Sequence, residues 1–243
     1  MAILSLLIVK NLNKSYGNLK VTDDLSFNLK EGEALGIVGP NGAGKTTLFN
    51  LISGDAKADG GTIHLAGENI SSFSPEKRCH KGIGRTYQIP RPFEGMSVFE
   101  NVLTGALFGT HLSKDDAEAL AISILENTGL INKAEELAGT LSLLERKRLE
   151  LAKALATQPK ILLLDEIAGG LTEHEVQELI GTIKNISKSG ISIIWIEHIV
   201  HALLSVVDKL VAINFGSVLL EGDPHEVMNS KEVKEVYMGI DTE

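Results

Sequence analysis

Apolar residues recur at two different spacings along the chain, and the first 65 residues have the spacing of strands. Short apolar or alternating runs are separated there by the turn pairs Gly-Asn, Glu-Gly and Gly-Gly. They predict strands over residues 6–12, 25–29, 34–38 and 62–65. From residue 97 to residue 156 the pattern becomes helical, and residues 115–127 have apolar positions on one face and charges on the other.

The strand pattern then returns in the last third of the chain. It predicts strands over residues 161–164, 191–196, 209–214 and 218–220, with a helix over residues 173–187. Continuous apolar strands that alternate with helices favour a largely parallel sheet covered on both faces. The sequence therefore predicts an α/β fold with an N-terminal antiparallel β part and a helical lobe inserted between two halves of the sheet.

Composition and charge restrict the classes of partner. The 243 residues carry a formal net charge of −9, which argues against nucleic acid and against direct binding to anionic lipid. The longest apolar runs, 3–9 and 191–196, are far shorter than the roughly 20 residues that span a bilayer. No basic residue precedes the first run, so we expect a cytoplasmic protein without a signal peptide. The single cysteine, Cys79, excludes an internal disulfide.

A glycine-rich segment after the third strand matches the phosphate-binding pattern G-x-x-x-x-G-K-[ST] in full. A strand precedes it and a helical stretch over residues 47–52 follows it, which is the context that the pattern requires. The backbone N–H groups would converge on phosphates, Lys45 would neutralise them, and the Thr46 hydroxyl would bind Mg²⁺. The predicted nucleotide-binding residues here are Gly39, Pro40, Asn41, Gly42, Ala43, Gly44, Lys45, Thr46 and Thr47.

Two carboxylates follow the buried strand at residues 161–164. Ligands gather at the carboxyl ends of parallel strands, so Asp165 is predicted to hold Mg²⁺. Glu166 is predicted to accept a hydrogen bond from an attacking water. A solvated acidic turn is the alternative interpretation of this pair.

Further markers, in their order, resemble the ATP-binding cassette (ABC) family over nearly the whole chain. Tyr16 precedes the phosphate loop, segment 84–88 ends in Gln88, segment 141–158 runs into the acidic pair, and His198 follows a later strand. The resemblance implies an ABC cassette of the P-loop NTPase fold, with a catalytic core of residues 1–88 and 157–243 and a helical subdomain of residues 89–156.

The resemblance also implies roles for single residues. Tyr16 would stack on adenine, and Val21 would pack near the base. Gln88 would contact Mg²⁺ and the attacking water, and His198 would contact the γ-phosphate. With Lys45 and Glu166, Gln88 and His198 form the predicted catalytic set, while Thr46, Gln88 and Asp165 form the predicted metal set. His198 also lies near Glu197 and His201, a spacing that could mimic a metal site without its usual motif.

The match departs from the family at the signature segment, usually L-S-G-G-Q. Here it reads Leu-Ser-Leu-Leu-Glu, so Ser142 is kept while Leu143 and Leu144 replace both glycines. The sequence predicts that the basic helix over residues 146–156 still directs its N-terminus at the nucleotide of a second subunit. Tolerated drift and a weakened composite site remain alternatives, and Ile167 and Thr172 also differ from the family pattern.

The resemblance implies a transport ATPase that uses ATP and Mg²⁺. Its partners would be a second cassette, identical or paralogous, and membrane permease subunits that hold the protein at the inner face of the membrane. Segment 88–99, with Phe93, Met96 and Phe99, would form a groove for a cytoplasmic permease helix, although these residues could equally be internal packing.

Within the family, segments 82–88, 96–103 and 148–152 and the tail at 237–239 are similar to ATPases that import branched-chain amino acids. An ATPase of lipopolysaccharide export is the nearest alternative. A regulatory ABC ATPase, a nucleotide-binding pseudoenzyme and a P-loop kinase are more distant ones.

Overall fold

A computed structural model describes residues 5–238 of the chain, with side chains through residue 236. The strands within this range are β1 (Ser5–Tyr16), β2 (Leu19–Lys30), β3 (Ala34–Val38), β4 (Gly60–Leu65), β5 (Glu68–Asn69), β6 (Ile83–Arg85), β7 (Ile161–Asp165), β8 (Ser192–Ile196), β9 (Lys209–Asn214) and β10 (Ser217–Gly222).

The helices of the same range lie between and after these strands. They are α1 (Lys45–Ser53), α2 (Pro75–Lys81), α3 (Val98–Gly109), α4 (Lys114–Asn127), α5 (Leu143–Ala156), α6 (Glu173–Lys188), α7 (Val200–Leu204), α8 (Pro224–Asn229) and α9 (Lys231–Met238). Two 3₁₀ turns, Ile131–Lys133 and Ala138–Thr140, connect α4 to α5.

The strands form two sheets. The smaller is antiparallel in the described pairs, in the order β2-β1-β4-β5. The larger has the order β10-β9-β3-β8-β7-β6, in which only the edge pair β9–β10 is antiparallel. The predicted combination of an antiparallel N-terminal part, a mostly parallel sheet and helices is confirmed.

Two hydrophobic clusters cover opposite faces of the larger sheet. One joins α3, α4, α5 and α6 to alternate strand residues such as Trp195, and the other joins the antiparallel sheet and α1 to the remaining strand residues. Strands β3, β7 and β8 are buried along their whole length, as their continuous apolar sequences predict. Each of the two packed layers therefore contacts one face of the larger sheet.

Several boundaries differ from the sequence expectation for local reasons. Helix α5 begins at Leu143 rather than Arg146, because Ser142 and Glu145 form a capping box one turn earlier. Strand β6 occupies a segment that has no long apolar run, and it is held as the edge strand beside β7. No helix among the described residues is long and apolar enough to cross a membrane. Of the predicted tail at 237–239, the last residue lies outside the described range.

Candidate active site

The phosphate loop lies between two strands that approach it so closely that glycine is required. Gly44 has a φ of +100°, and a Cβ there would lie 2.4 Å from the carbonyl oxygen of Val21. A Cβ at Gly39 would lie 2.3 Å from the carbonyl oxygen of Ile213. These two glycines therefore let the loop turn tightly between β2 and β9.

Helix α1 begins at this loop without a capping side chain. Its N-cap is Gly44, which has no side-chain hydrogen bond, and its first turn carries no acidic residue. Helices α3, α5 and α6 each begin with a complete capping box instead. The first N–H groups of a helix have no partner within the helix, so those of residues 45–47 are available to an anionic ligand.

Lys45 is held inside the loop that it follows. Its Nζ donates hydrogen bonds to the carbonyl oxygens of Gly39 at 2.7 Å and of Pro40 at 3.0 Å. Burial lowers the pKa of Lys45, and the nearby carboxylates of Glu166 and Asp165 oppose that shift. The buried ammonium is thus positioned as the cation of the phosphate loop.

Three residues predicted to act together meet at Glu166, immediately after β7. The Gln88 side-chain amide donates a hydrogen bond to Glu166 Oε2 at 2.5 Å, and His198 Nε2 lies 2.9 Å from Glu166 Oε1. The three residues follow β6, β7 and β8, which are neighbours in the sheet. Glu166 has a φ of +45°, and its N–H donates to the Ile196 carbonyl at 2.8 Å. Because parallel neighbouring strands end at the same edge of the sheet, these three residues lie together although they are distant in sequence.

Asp165 is paired with an arginine that the sequence analysis did not single out. Arg85 donates to Asp165 Oδ2 at 3.0 Å, and its other terminal nitrogen donates to Asn50 at 2.7 Å and to Asp55 at 3.0 Å. Burial raises the pKa of Asp165, and the hydrogen bond and charge of Arg85 act in the opposite direction. Arg85 belongs to the segment 84–88, but the local sequence around it gives no indication of a partner 80 residues away.

An open pocket of about 260 Å³ joins the phosphate loop to Glu166. It is lined by Leu19, Val21, Asn41, Gly42, Gly44, Lys45, Thr46, Thr47 and Glu166.

Tyr16, the predicted adenine-stacking residue, lies beside this pocket and not in its lining. It is half exposed, and the Lys14 ammonium lies 5.2 Å from its ring centroid. Leu19 is the Cα partner of Tyr16 across the β1–β2 turn and does line the pocket. Cross-strand partners share a face of the sheet, so the Gly17-Asn18 turn could have indicated Leu19.

Glu197 has a structural position behind His198. It is buried and accepts hydrogen bonds from the N–H groups of Ala168 at 3.0 Å and His198 at 2.9 Å. His201 pairs instead with Glu173 at 3.2 Å, so the neighbouring histidines do not converge. Among the described residues, no group of three or more His, Cys, Asp or Glu side chains could hold a metal ion.

Ser142 is the N-cap of α5 and is not among the residues that line the pocket. Its hydroxyl accepts from Glu145 N, and its own N–H donates to the Glu145 carboxylate at 2.8 Å. Leu144 is buried, whereas Leu143 is 42% exposed and lies against Gly170. The two leucines therefore differ in exposure, and a role for Ser142 at a second subunit stays a prediction.

Comparisons with known proteins identify the family of the chain. The sequence profile described as ABC transporter matches residues 22–169. The lipopolysaccharide export system ATP-binding protein LptB of Haemophilus influenzae is 34% identical over 97% of this chain and 98% of its own length. The high-affinity branched-chain amino acid transport ATP-binding protein LivG of Salmonella typhimurium is 34% identical over 96% and 98%.

Among solved structures, an ATP-binding cassette of an ABC transporter in its ADP conformation superimposes with a TM-score of 0.88. The two sequences are 30% identical, and the match covers 98% of this chain and 100% of the solved chain.

Proposed function

The chain belongs to the ABC transporter family as an ATP-binding, ATP-hydrolysing subunit, and from this premise we propose that it powers solute import through separate membrane subunits. The proposed solutes are branched-chain amino acids or similar small molecules. The observation that carries the catalytic part of the proposal is the cluster of Gln88, Glu166 and His198 beside the phosphate loop.

In the proposed hydrolysis, Glu166 is the general base. The Gln88 amide and the His198 ring each contact one oxygen of the carboxylate, and these two contacts fix its direction. A water in the pocket would then transfer a proton to Glu166 as it attacks the γ-phosphate. Lys45 and His198 would stabilise the charge that develops on the phosphate oxygens.

The residues that line the pocket, together with Gln88 and Asp165 outside its lining, fit ATP with Mg²⁺. The uncapped start of α1 and the buried Lys45 offer N–H and ammonium donors for phosphates. Thr46, Gln88 and Asp165 offer a hydroxyl, an amide and a carboxylate, the oxygen donors that Mg²⁺ prefers, and would hold the ion. Mg²⁺ would neutralise the phosphates between which the bond is broken. Leu19 and Val21, with Tyr16 nearby, would form the apolar side for the base.

We further propose that two cassettes close around two nucleotides. The phosphate loop of one chain and the Ser142 segment of the other would contact the same ATP. ATP would favour the closed pair by binding it better than the open pair, and hydrolysis would allow reopening. The second cassette is a copy of this chain or a paralogue.

The proposed subdomain of residues 89–156 would transmit this motion to the permease. An open groove of about 380 Å³ lies between core and helical residues, and its lining includes Asp55, Tyr87 and Phe93. Of the predicted groove residues, Phe93 is half exposed, whereas Phe99 packs against the larger hydrophobic cluster. A cytoplasmic permease helix in this groove would hold the protein at the inner face of the membrane.

The import assignment is tested by reconstitution. The chain would be copurified in detergent with the permease subunits that bind it, and the complex would be placed in liposomes. We expect MgATP to drive uptake of labelled leucine, isoleucine or valine, and Lys45→Ala to abolish it. ATP-driven extraction of lipopolysaccharide without amino-acid uptake would instead establish the export function, which the similarity to LptB supports equally well.

A further inference from the structure

The segment that begins at Gln88 forms hydrogen bonds with two of the helices that follow it in the chain. We call residues 88–93 the Gln88 loop. Its carbonyl at Gln88 accepts from Lys147 Nζ at 2.6 Å, and its carbonyl at Arg91 accepts from Lys153 Nζ at 2.8 Å. The Phe93 N–H donates to the side chain of Asn101 on α3 at 2.8 Å. Hence α5 contacts the loop at Gln88 and Arg91, and α3 contacts it at Phe93.

Lys147 differs from the other contacts because it also reaches the turn after β7. Its Nζ lies 3.4 Å from the carbonyl oxygen of Glu166, as well as 2.6 Å from that of Gln88. The side chain is buried, with 3% of the residue exposed. A buried ammonium must be paired, and its charge lies near Glu150, Glu166 and Glu197.

These contacts close a ring of hydrogen bonds. Lys147 Nζ donates to the Gln88 carbonyl oxygen, and the Gln88 side-chain amide donates to the Glu166 carboxylate. Lys147 Nζ also donates to the Glu166 carbonyl oxygen, which completes the ring. The N–H of Glu166 is already fixed by β8 through the Ile196 carbonyl. The main-chain orientation that directs the Glu166 carboxylate therefore has one anchor in the sheet and one in α5.

We propose that Lys147 is a positioning residue. It fixes the position of the Glu166 carboxylate relative to the Gln88 amide, and that relative position depends on where α5 lies. The inference rests on the proposed role of Glu166 as the base. Because α5 begins at the Ser142 segment, a displacement of that helix would move Lys147 and so change the geometry at Glu166. Lys147 itself does not touch the water or the nucleotide in this scheme.

The test compares Lys147→Met, which keeps the length of the side chain but removes its donors, with Lys147→Arg, which keeps donors. Phosphate release by the purified chain and the dissociation constant for MgADP are measured for each variant. We expect Lys147→Met to lower kcat about tenfold or more while the dissociation constant changes less than about twofold. Lys147→Arg should recover a substantial part of kcat.

Lys153→Met is the matched control, because Lys153 is also a lysine of α5 that donates to a carbonyl of the Gln88 loop. Lys153 holds the Gln88 loop through Arg91, and the described contacts of its ammonium do not include Glu166. Its substitution should lower kcat by less than about threefold. Equal losses in Lys147→Met and Lys153→Met would overturn the proposal, since general anchoring of the loop would then explain both.

A double-mutant cycle separates positioning from simple destabilisation. If Lys147 acts through the ring, Lys147→Met should lower kcat much less in a Gln88→Ala background than in the parent. Equal losses in both backgrounds, or a normal kcat for folded Lys147→Met, would overturn the inference. Unchanged turnover in Glu166→Gln would refute the proposed role of Glu166 as the base, whichever result Lys147 gives.

Discussion

Glu166 is held from several directions in a backbone conformation that side chains rarely adopt. Its φ of +45° lies in the left-handed region, which costs a non-glycine residue about 1 kcal/mol or more. Contacts from Gln88, His198 and Ile196 fix it there. The local strain is therefore offset by contacts that also orient the carboxylate.

Replacement of Glu166 by glutamine should stop hydrolysis while it leaves nucleotide binding intact. Glutamine keeps the size of the side chain but cannot accept the proton, so kcat should fall by about a hundredfold or more. Phosphate release and size-exclusion chromatography with MgATP measure turnover and dimer formation. Glu178→Gln, an exposed change on α6, is the control and should behave as the parent. Normal turnover in Glu166→Gln would exclude its role as the base.

The Arg85–Asp165 pair should contribute strongly to the free energy of unfolding. Both side chains are more than nine-tenths buried, so Arg85→Met leaves a buried carboxylate without its partner and should cost about 3 kcal/mol. The double variant Arg85→Met/Asp165→Asn should recover part of this loss. Denaturant unfolding followed by Trp195 fluorescence measures both values.

The exposed pair Lys114–Glu118 provides the control for that measurement. Lys114→Met should change the free energy of unfolding by less than about 0.5 kcal/mol, because solvent screens an exposed ion pair. A cost for Arg85→Met as small as that of Lys114→Met would show that the buried pair is not important for stability.

At the scale of the elements, helix α5 connects the Ser142 segment to the site through Lys147. It begins at the Ser142–Glu145 capping box, packs with α3 and α4, and carries Lys147 toward Glu166. The hydrogen bond from the Ser142 N–H, together with the Ser142 side chain and Lys133, lowers the pKa of Glu145 against some opposing burial. The start of α5 is thus sensitive to protonation of one carboxylate.

This gives a pH-dependent prediction. Since the pKa of Glu145 is lower in the folded chain, the unfolded chain takes up the proton first as the pH falls. The stabilisation by ionised Glu145 is complete above its ordinary value of 4.5 and is lost as the pH falls through the folded pKa. The free energy of unfolding should therefore decrease more steeply below pH 4.5 in the parent than in Glu145→Gln. Parallel curves would contradict this.

Elements with a strong local pattern were predictable from the sequence. Strands β3 and β9 match the predicted bounds, because buried parallel strands have continuous apolar sequences. Strands β1 and β2 extend several residues beyond their apolar runs, since ladder pairing continues through polar residues such as Lys14 and Thr22. Helix α2 was missed although Ser74 and Pro75 form a recognisable start.

The candidate site was predictable where a motif or the order of motifs carries the information. Resemblance to the ABC family indicated Gln88 and His198, and the carboxylate pair after a buried strand indicated Glu166; the structure brings the three within hydrogen-bonding distance. Arg85 and Lys147 were not singled out, because a basic residue in a strand or helix has no local sign of its partner. Their roles depend on contacts between elements that are distant in sequence.

At the scale of the whole molecule, the described chain has two hydrophobic clusters separated by one sheet. Trp195 is the single tryptophan of the sequence and lies fully buried in that sheet. Its fluorescence therefore reports loss of the central packing. The nucleotide pocket lies at an end of the sheet and includes residues of the antiparallel layer.

Nucleotide binding should stabilise this arrangement as a whole. A ligand that binds only the folded chain at a hundred times its dissociation constant adds about 2.7 kcal/mol to the free energy of unfolding. We expect MgADP to produce this increase, measured by denaturant unfolding with Trp195 fluorescence. Lys45→Ala should show little or none of it. An equal increase in Lys45→Ala would place binding away from the phosphate loop.

Residues of both sheets line the pocket: Leu19 and Val21 lie on β2, and Glu166 follows β7. A molecule bound there would add a contact between two layers that apolar packing and hydrogen bonds already join, such as the one from Lys209 Nζ to the Asn28 carbonyl oxygen. We expect departure of the product to remove this contact between the two layers.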